Sequence, residues 1–145
     1  LKSSLDYLNK SLSSSSDPSG AVFYPKIFRN QFTLKDLTVF GSITAIRIEG
    51  SINSIDHRIN KLTKDLRVES RKLDILAPEQ SKIFWDDTRR LKVFSNLDKN
   101  LFRVVVPPST TFNLLNDLST FNIKYFVDWG GNLIWLQIDV LIQKN

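Results

Sequence analysis

Residues 101–135 read LFRVVVPPSTTFNLLNDLSTFNIKYFVDWGGNLIW, and this stretch decides the fold. Leu101 to Val106 is rich in β-branched residues and suits a strand. Pro107 and Pro108 cannot donate to a ladder and stop it. Ser109 then stands where a helix cap belongs, ahead of Phe112, Leu115 and Leu118 at helical spacing. Ile123 to Asp128 and Leu133 to Ile138 read as two strands of an antiparallel hairpin. Between them, Gly130 and Gly131 supply the positive φ angles of a two-residue hairpin turn.

Upstream, Leu1, Leu5, Leu8 and Leu12 recur at helical spacing. No cap precedes Leu1, so this looks like a helix cut at its front. Residues 13–20, SSSSDPSG, break the pattern and read as a loop within the domain. Ala21 to Pro25 is a short strand, and residues 26–41 show no clear period. Ile43 to Glu49 alternates, with Ile46 and Ile48 on one face and Ala45, Arg47 and Glu49 on the other, as in a half-buried strand. Gly50 ends it and Ser51 can cap the next helix. Ile52, Ile55, Ile59, Leu62 and Leu66 give that helix one apolar stripe. His57, Arg58, Lys61, Lys64 and Asp65 form its outer face. Lys72 to Leu76 reads as a strand. Pro78 opens a helix reaching about Lys92, with Ile83, Phe84 and Leu91 able to pack inward. The element order predicts an α+β class: one antiparallel sheet with helices packed on one face, in the ferredoxin-like manner, over residues 1–145 as a single domain.

Hydrophobic residues are 41% and charged residues 24%, the composition of a globular chain. Cysteine is absent, which excludes a disulfide, a thiolate zinc site and a Cys-ligated iron–sulfur cluster on this chain. The net charge is +5, but the cations are scattered. Arg71-Lys72 and Arg89-Arg90 are the only tight clusters, and they read as solvated surface, so no nucleic-acid partner is expected. No apolar run approaches the ~20 residues that cross a bilayer. Methionine is absent too, and the expectation is a piece of a longer polypeptide.

No catalytic constellation is visible. The one histidine, His57, lies on a polar helix face and reads as a surface residue. There is no nucleophile elbow, P-loop or dinucleotide glycine pattern. Asp86 and Asp87 sit beside Arg89 and Arg90 and read as helix ion pairs rather than a metal site. Arg47 and Arg103 each interrupt an apolar strand. If that face is solvent, each is ordinary. If it faces a cleft, the guanidinium fork can hold a carboxylate. Asp128 and Trp129 end a strand beside the glycine turn. Either Asp128 serves turn chemistry, or Trp129 and Trp135 shape a pocket wall or a subunit contact.

The pair of motifs Leu101–Ser109 and Val127–Leu136, VDWGGNLIWL, resembles the E subunit of bacterial glycolate oxidase. Asp17-Pro18-Ser19-Gly20-Ala21, Tyr24-Pro25 and Ile46–Gly50 leading into Arg58 and Leu62 are similar to the family's pattern as well. The resemblance runs over about residues 5–138, with the hairpin its specific part. It implies the FAD-linked oxidases of vanillyl-alcohol-oxidase type, whose members carry an FAD-binding domain followed by an α+β domain that caps the flavin. This chain resembles the second, cap-type domain alone. The FAD-binding domain and the family's last segment are missing, so most of the FAD site lies elsewhere and no activity is expected of the chain alone. The implied reaction is oxidation of a small 2-hydroxy acid such as glycolate. The implied partners are a D-type flavoprotein and an F-type iron–sulfur subunit. The implied location is cytoplasmic, with attachment at the inner membrane through those subunits. Arg47, Arg103, Asp128 and Trp129 are the candidates for facing substrate or flavin; no catalytic residue is assigned. The rival expectation is a non-catalytic ferredoxin-like interaction module. The resemblance requires the last two strands to share one sheet with 43–49 and 101–106.

Overall fold

The computed structural model describes residues 1–28, 30–34, 41–69, 73–94 and 100–138. Its strands are β1 (Gly20–Tyr24), β2 (Ile43–Arg47), β3 (Leu101–Val105), β4 (Ile123–Asp128) and β5 (Leu133–Ile138). Its helices are α1 (Lys2–Leu12), α2 (Ile52–Leu66), α3 (Pro78–Arg89) and α4 (Pro108–Asp117). The strands form one antiparallel sheet in the order β2-β1-β4-β5-β3. The expected α+β class and antiparallel sheet are both present. β3 and β4 each pair antiparallel with β5 and so run parallel to one another, with α4 joining them and β5 between. That is a split β-α-β unit. β4 and β5 share their sheet with β2 and β3, as the resemblance requires.

Helices lie on both faces of the sheet rather than on one alone. One face packs Ala21, Phe23, Val127, Ile134 and Leu136 against Leu5 and Leu8 of α1 and Leu115 of α4. The other packs Val22, Tyr24 and Phe126 against Phe84 of α3, together with Phe28, Phe32, Val93 and Phe94. The reason is in the strands. Ala21-Val22-Phe23-Tyr24 is a continuous apolar run with every member buried, and a strand apolar on both sides must be covered on both. The second core is an aromatic cluster. Tyr24 lies edge-on to Phe32 at 4.9 Å and against Phe126 at 4.7 Å, and Phe32 stacks on Phe84 at 5.3 Å.

Several local expectations shift. Lys72, where a strand was expected to begin, and the Arg71-Lys72 cluster lie outside the described residues. Residues 73–77 form no ladder, and Ile75 is exposed. Ala77 is held extended (φ −59°, ψ 155°) because Pro78 follows it. Ile52 is exposed rather than part of the buried stripe, while Leu62 and Leu66 are buried. Ser51 is the N-cap of α2 but makes no side-chain cap bond; Ser54 Oγ donates to its carbonyl instead. α3 ends at Arg89, short of Lys92, and Leu91 takes a left-handed φ of 54°. Pro107, not Ser109, is the N-cap of α4, since proline is tolerated where the first helical N–H groups lack partners.

Arg58, expected on the solvated face, is folded back onto the backbone. Its guanidinium donates to the carbonyls of Ser16, Asp17 and Glu49, and Ser16 Oγ donates to the Arg58 carbonyl. It fastens the serine-rich loop and the β2–α2 turn to one helix.

A carboxylate pin does similar work on the other face. Asp87, nearly fully buried, accepts from the Thr33 N–H at 2.6 Å and Thr33 Oγ1 at 2.8 Å, with the Lys92 ammonium 3.6 Å away. Asp86 alone makes the helix ion pairs expected of both, with Arg89 and Arg90.

Candidate functional site

The β4–β5 connection holds three successive residues at positive φ. Asp128 pairs with Leu133, so the turn spans four residues, 129–132, not two. Trp129, Gly130 and Gly131 have φ of 49°, 65° and 112°. The positive φ angles expected of the glycines are present, and the tryptophan shares them.

The surroundings explain why this turn needs glycine. A Cβ on Gly130 would run into the Leu12 side chain of α1, and its φ of 65° itself favours glycine. Thr111, fully buried in α4, donates to the Gly131 carbonyl at 2.6 Å. Val106 N–H donates to the Asn132 carbonyl at 3.0 Å. Asp128 Oδ1 accepts from the Trp129 N–H at 2.7 Å and caps the turn.

This frame brings three of the four candidate residues together. Arg103 pairs in register with Trp135 of β5, which places it on the α3 face, the face that Asp128 shares with Phe126. The Arg103 guanidinium lies 5.2 Å from the centre of the Trp129 ring, within cation–π range. Arg103 and Trp129 are exposed, and Asp128 is half-buried. Among the described residues no carboxylate pairs with Arg103 and no cation with Asp128.

Arg47 does not join them. It lies on β2, the opposite edge of the sheet, four strand spacings from β3, or about 19 Å. Its guanidinium pairs with Glu49 at 2.8 Å and sits 5.9 Å from the Trp85 ring. Trp85 in turn lies over Gly20, where a Cβ would come within 3.0 Å of the indole. Arg47 is therefore partnered within its own edge of the sheet.

Burial raises the Asp128 carboxyl pKa above the usual 3.8, partly offset by the Trp129 N–H. Burial likewise pushes the Tyr24 phenol up, against a lowering bond to Thr88. Asp128→Asn tests the first of these. The folded chain binds the Asp128 proton more tightly than the unfolded chain, so this group costs stability as pH rises from about 4 through its raised folded value. Asparagine keeps the acceptor for the Trp129 N–H. The variant should match wild type below that range and be the more stable at neutral pH in urea titrations. A variant less stable at neutral pH contradicts the desolvation argument.

On the other face, a cleft of about 260 Å³ opens between α1 and α4, lined among others by Lys2, Asp6, Asn9, Ser109 and Phe112. It meets the turn only at Gly130, and none of the four candidate residues lines it. Among the described residues no group of three His, Cys, Asp or Glu side chains could hold a metal ion, and no helix is long and apolar enough to cross a membrane. His57 is exposed on α2.

The sequence pointed to the turn and to Arg103, but not to Thr111, Leu12 or Trp85. Thr111 carried one local signal, a threonine in the first turn of a helix opened by two prolines. Leu12 and Trp85 act only through contacts distant in sequence.

No protein-family model matches the chain, and neither a curated protein nor a solved structure matches it.

Proposed function

We propose that this chain is the cap-type domain of an FAD-linked oxidase assembly similar to bacterial glycolate oxidase, in the position of its E subunit. One observation carries the reading: the motif that bears the resemblance gathers at a single corner of the fold. Its Asp128-Trp129-Gly130-Gly131 turn is clamped by Thr111 and Leu12, and the corner holds Arg103, Asp128 and Trp129 on one sheet face. A guanidinium with no carboxylate partner among the described residues, beside an indole, suits an anionic 2-hydroxy acid next to a planar ring. Arg47, at the opposite edge of the sheet and paired there with Glu49, is dropped from that role. In this reading FAD is held by another domain or subunit. That flavin supplies hydride acceptance, and the residues of this chain bind and orient. The partners are a D-type flavoprotein and an F-type iron–sulfur subunit, and the assembly is cytoplasmic, attached at the inner membrane through them.

A second reading, a partner-binding module with no role at a flavin, is favoured by the exposure of Phe102, Val105 and Trp129 around β3. Co-expression with the two named subunits separates the readings. The chain purified alone should carry no stoichiometric flavin. Co-expressed, it should co-purify with both subunits and be required for glycolate-dependent dye reduction. Co-purification with unchanged turnover in its absence supports the module reading. A yellow chain with stoichiometric FAD contradicts the cap assignment.

A further inference from the structure

The cleft between α1 and α4 is lined by polar side chains that the fold does not use. On α1, Lys2, Asp6 and Asn9 recur at i, i+4 and i+7, which puts them on one stripe of the helix. On α4, Ser109, Phe112 and Asn113 fall at i, i+3 and i+4 and share a stripe in the same way. Both stripes line the space of about 260 Å³ between the helices. Leu5 is buried at its base and Phe112 is half-buried, while the polar side chains are exposed around them. Among the described residues, no hydrogen bond or ion pair uses the side chains of Asp6, Asn9, Ser109 or Asn113. Their neighbours differ: Ser11, Thr110 and Thr111 donate to the carbonyls of Leu8, Pro107 and Gly131. Lys61 and Asp65, a turn apart on α2, close to 3.3 Å. Lys2 and Asp6 have the same spacing and order on α1 and form no such pair. The Lys2 ammonium stands instead 5.9 Å from the centre of the Phe112 ring, within cation–π range.

We propose that this cleft binds a free α-amino acid with an apolar side chain. The two charges choose the class. A ligand carrying only negative charge meets Asp6, and one carrying only positive charge meets Lys2. A dipolar ligand satisfies both, with its carboxylate on Lys2 and its ammonium on Asp6. The amides of Asn9 and Asn113 and the Ser109 hydroxyl supply further donors and acceptors for those two groups. Leu5 and the Phe112 ring take the apolar side chain. Size agrees, since drug-sized ligands fill roughly 300–1,000 Å³ and this space is smaller. The cleft lies on the sheet face opposite Arg103 and Asp128, and the proposal does not depend on the function proposed above.

The test is a calorimetric titration of the full chain with L-leucine, beside analogues that lack one charge. L-leucine should bind saturably, with a dissociation constant of about 1 mM. N-acetyl-L-leucine has no ammonium and L-leucinamide no carboxylate; each should bind at least about tenfold more weakly. Asp6→Asn and Lys2→Met should each weaken L-leucine by about tenfold. Both positions are exposed, so the two variants should melt with wild type. No saturable binding of L-leucine up to about 10 mM overturns the site. Equal affinity for N-acetyl-L-leucine, or unchanged affinity in both variants, overturns it too. Tighter binding of the neutral sugar methyl glucoside than of L-leucine would make the cleft a carbohydrate site and overturns the amino-acid assignment.

Discussion

Phe126→Ala is expected to cost the fold about 3–5 kcal/mol, the usual penalty for emptying a large aromatic site in a core. Phe126 is fully buried on β4, with Tyr24 at 4.7 Å and Phe94 at 5.7 Å from its ring centre. Its loss opens a void bounded by β1, β4 and residues 91–94, which a sheet pinned on both faces cannot easily close. A domain of this size carries roughly 5–15 kcal/mol in all, so the variant should unfold at a much lower urea concentration. Phe121 is 63% exposed, and Phe121→Ala serves as the control. Its effect should stay within about 0.5 kcal/mol. Equal effects from the two changes contradict the aromatic core described above.

Arg58→Ala is the second large loss expected, about 2–3 kcal/mol. Three carbonyls, of Ser16, Asp17 and Glu49, take donors from one guanidinium. Bonds to charged groups contribute about 1.5–3 kcal/mol each, and bonds sharing one side chain do not add. Lysine should recover less than half of the loss, because one ammonium on a flexible stem cannot span three carbonyls set by a planar fork. The cleanest readout is limited proteolysis, with cleavage moving into residues 13–20 in the alanine variant. An Arg58→Lys protein as stable and as protected as wild type contradicts the clamp.

These two residues show what the sequence could and could not convey. β4 and β5 were legible because the diglycine break between two apolar strands admits few alternatives. α1 and α2 were legible from their apolar period. Ile52 misled because periodicity marks a face, not how far along it a neighbour reaches. Residues 73–77 misled because an extended approach to Pro78 has a strand's composition without a strand's partner. Arg58 was read as surface, since nothing local shows that the distant serine-rich loop and the turn before α2 bring three carbonyls to it. Asp87 beside Asp86 is the same lesson at adjacent positions, one ion-paired in solvent and one buried on Thr33.

At the candidate corner the residue types were legible and their grouping was not. Arg47 and Arg103 looked equivalent in sequence, as lone cations in apolar strands. Strand order separates them, because β2 and β3 are opposite edges of the sheet. The left-handed Trp129 could not be anticipated either, since the two glycines after it were sufficient to make a hairpin.

The most direct measurement is of the flavin absorbance band in the anaerobic assembly when glycolate is added, with and without this chain. The band should bleach rapidly only when the chain is present, and Arg103→Ala should slow the bleaching at saturating flavoprotein. Bleaching at the same rate with the chain omitted would show that this polypeptide forms no part of a 2-hydroxy acid oxidase site.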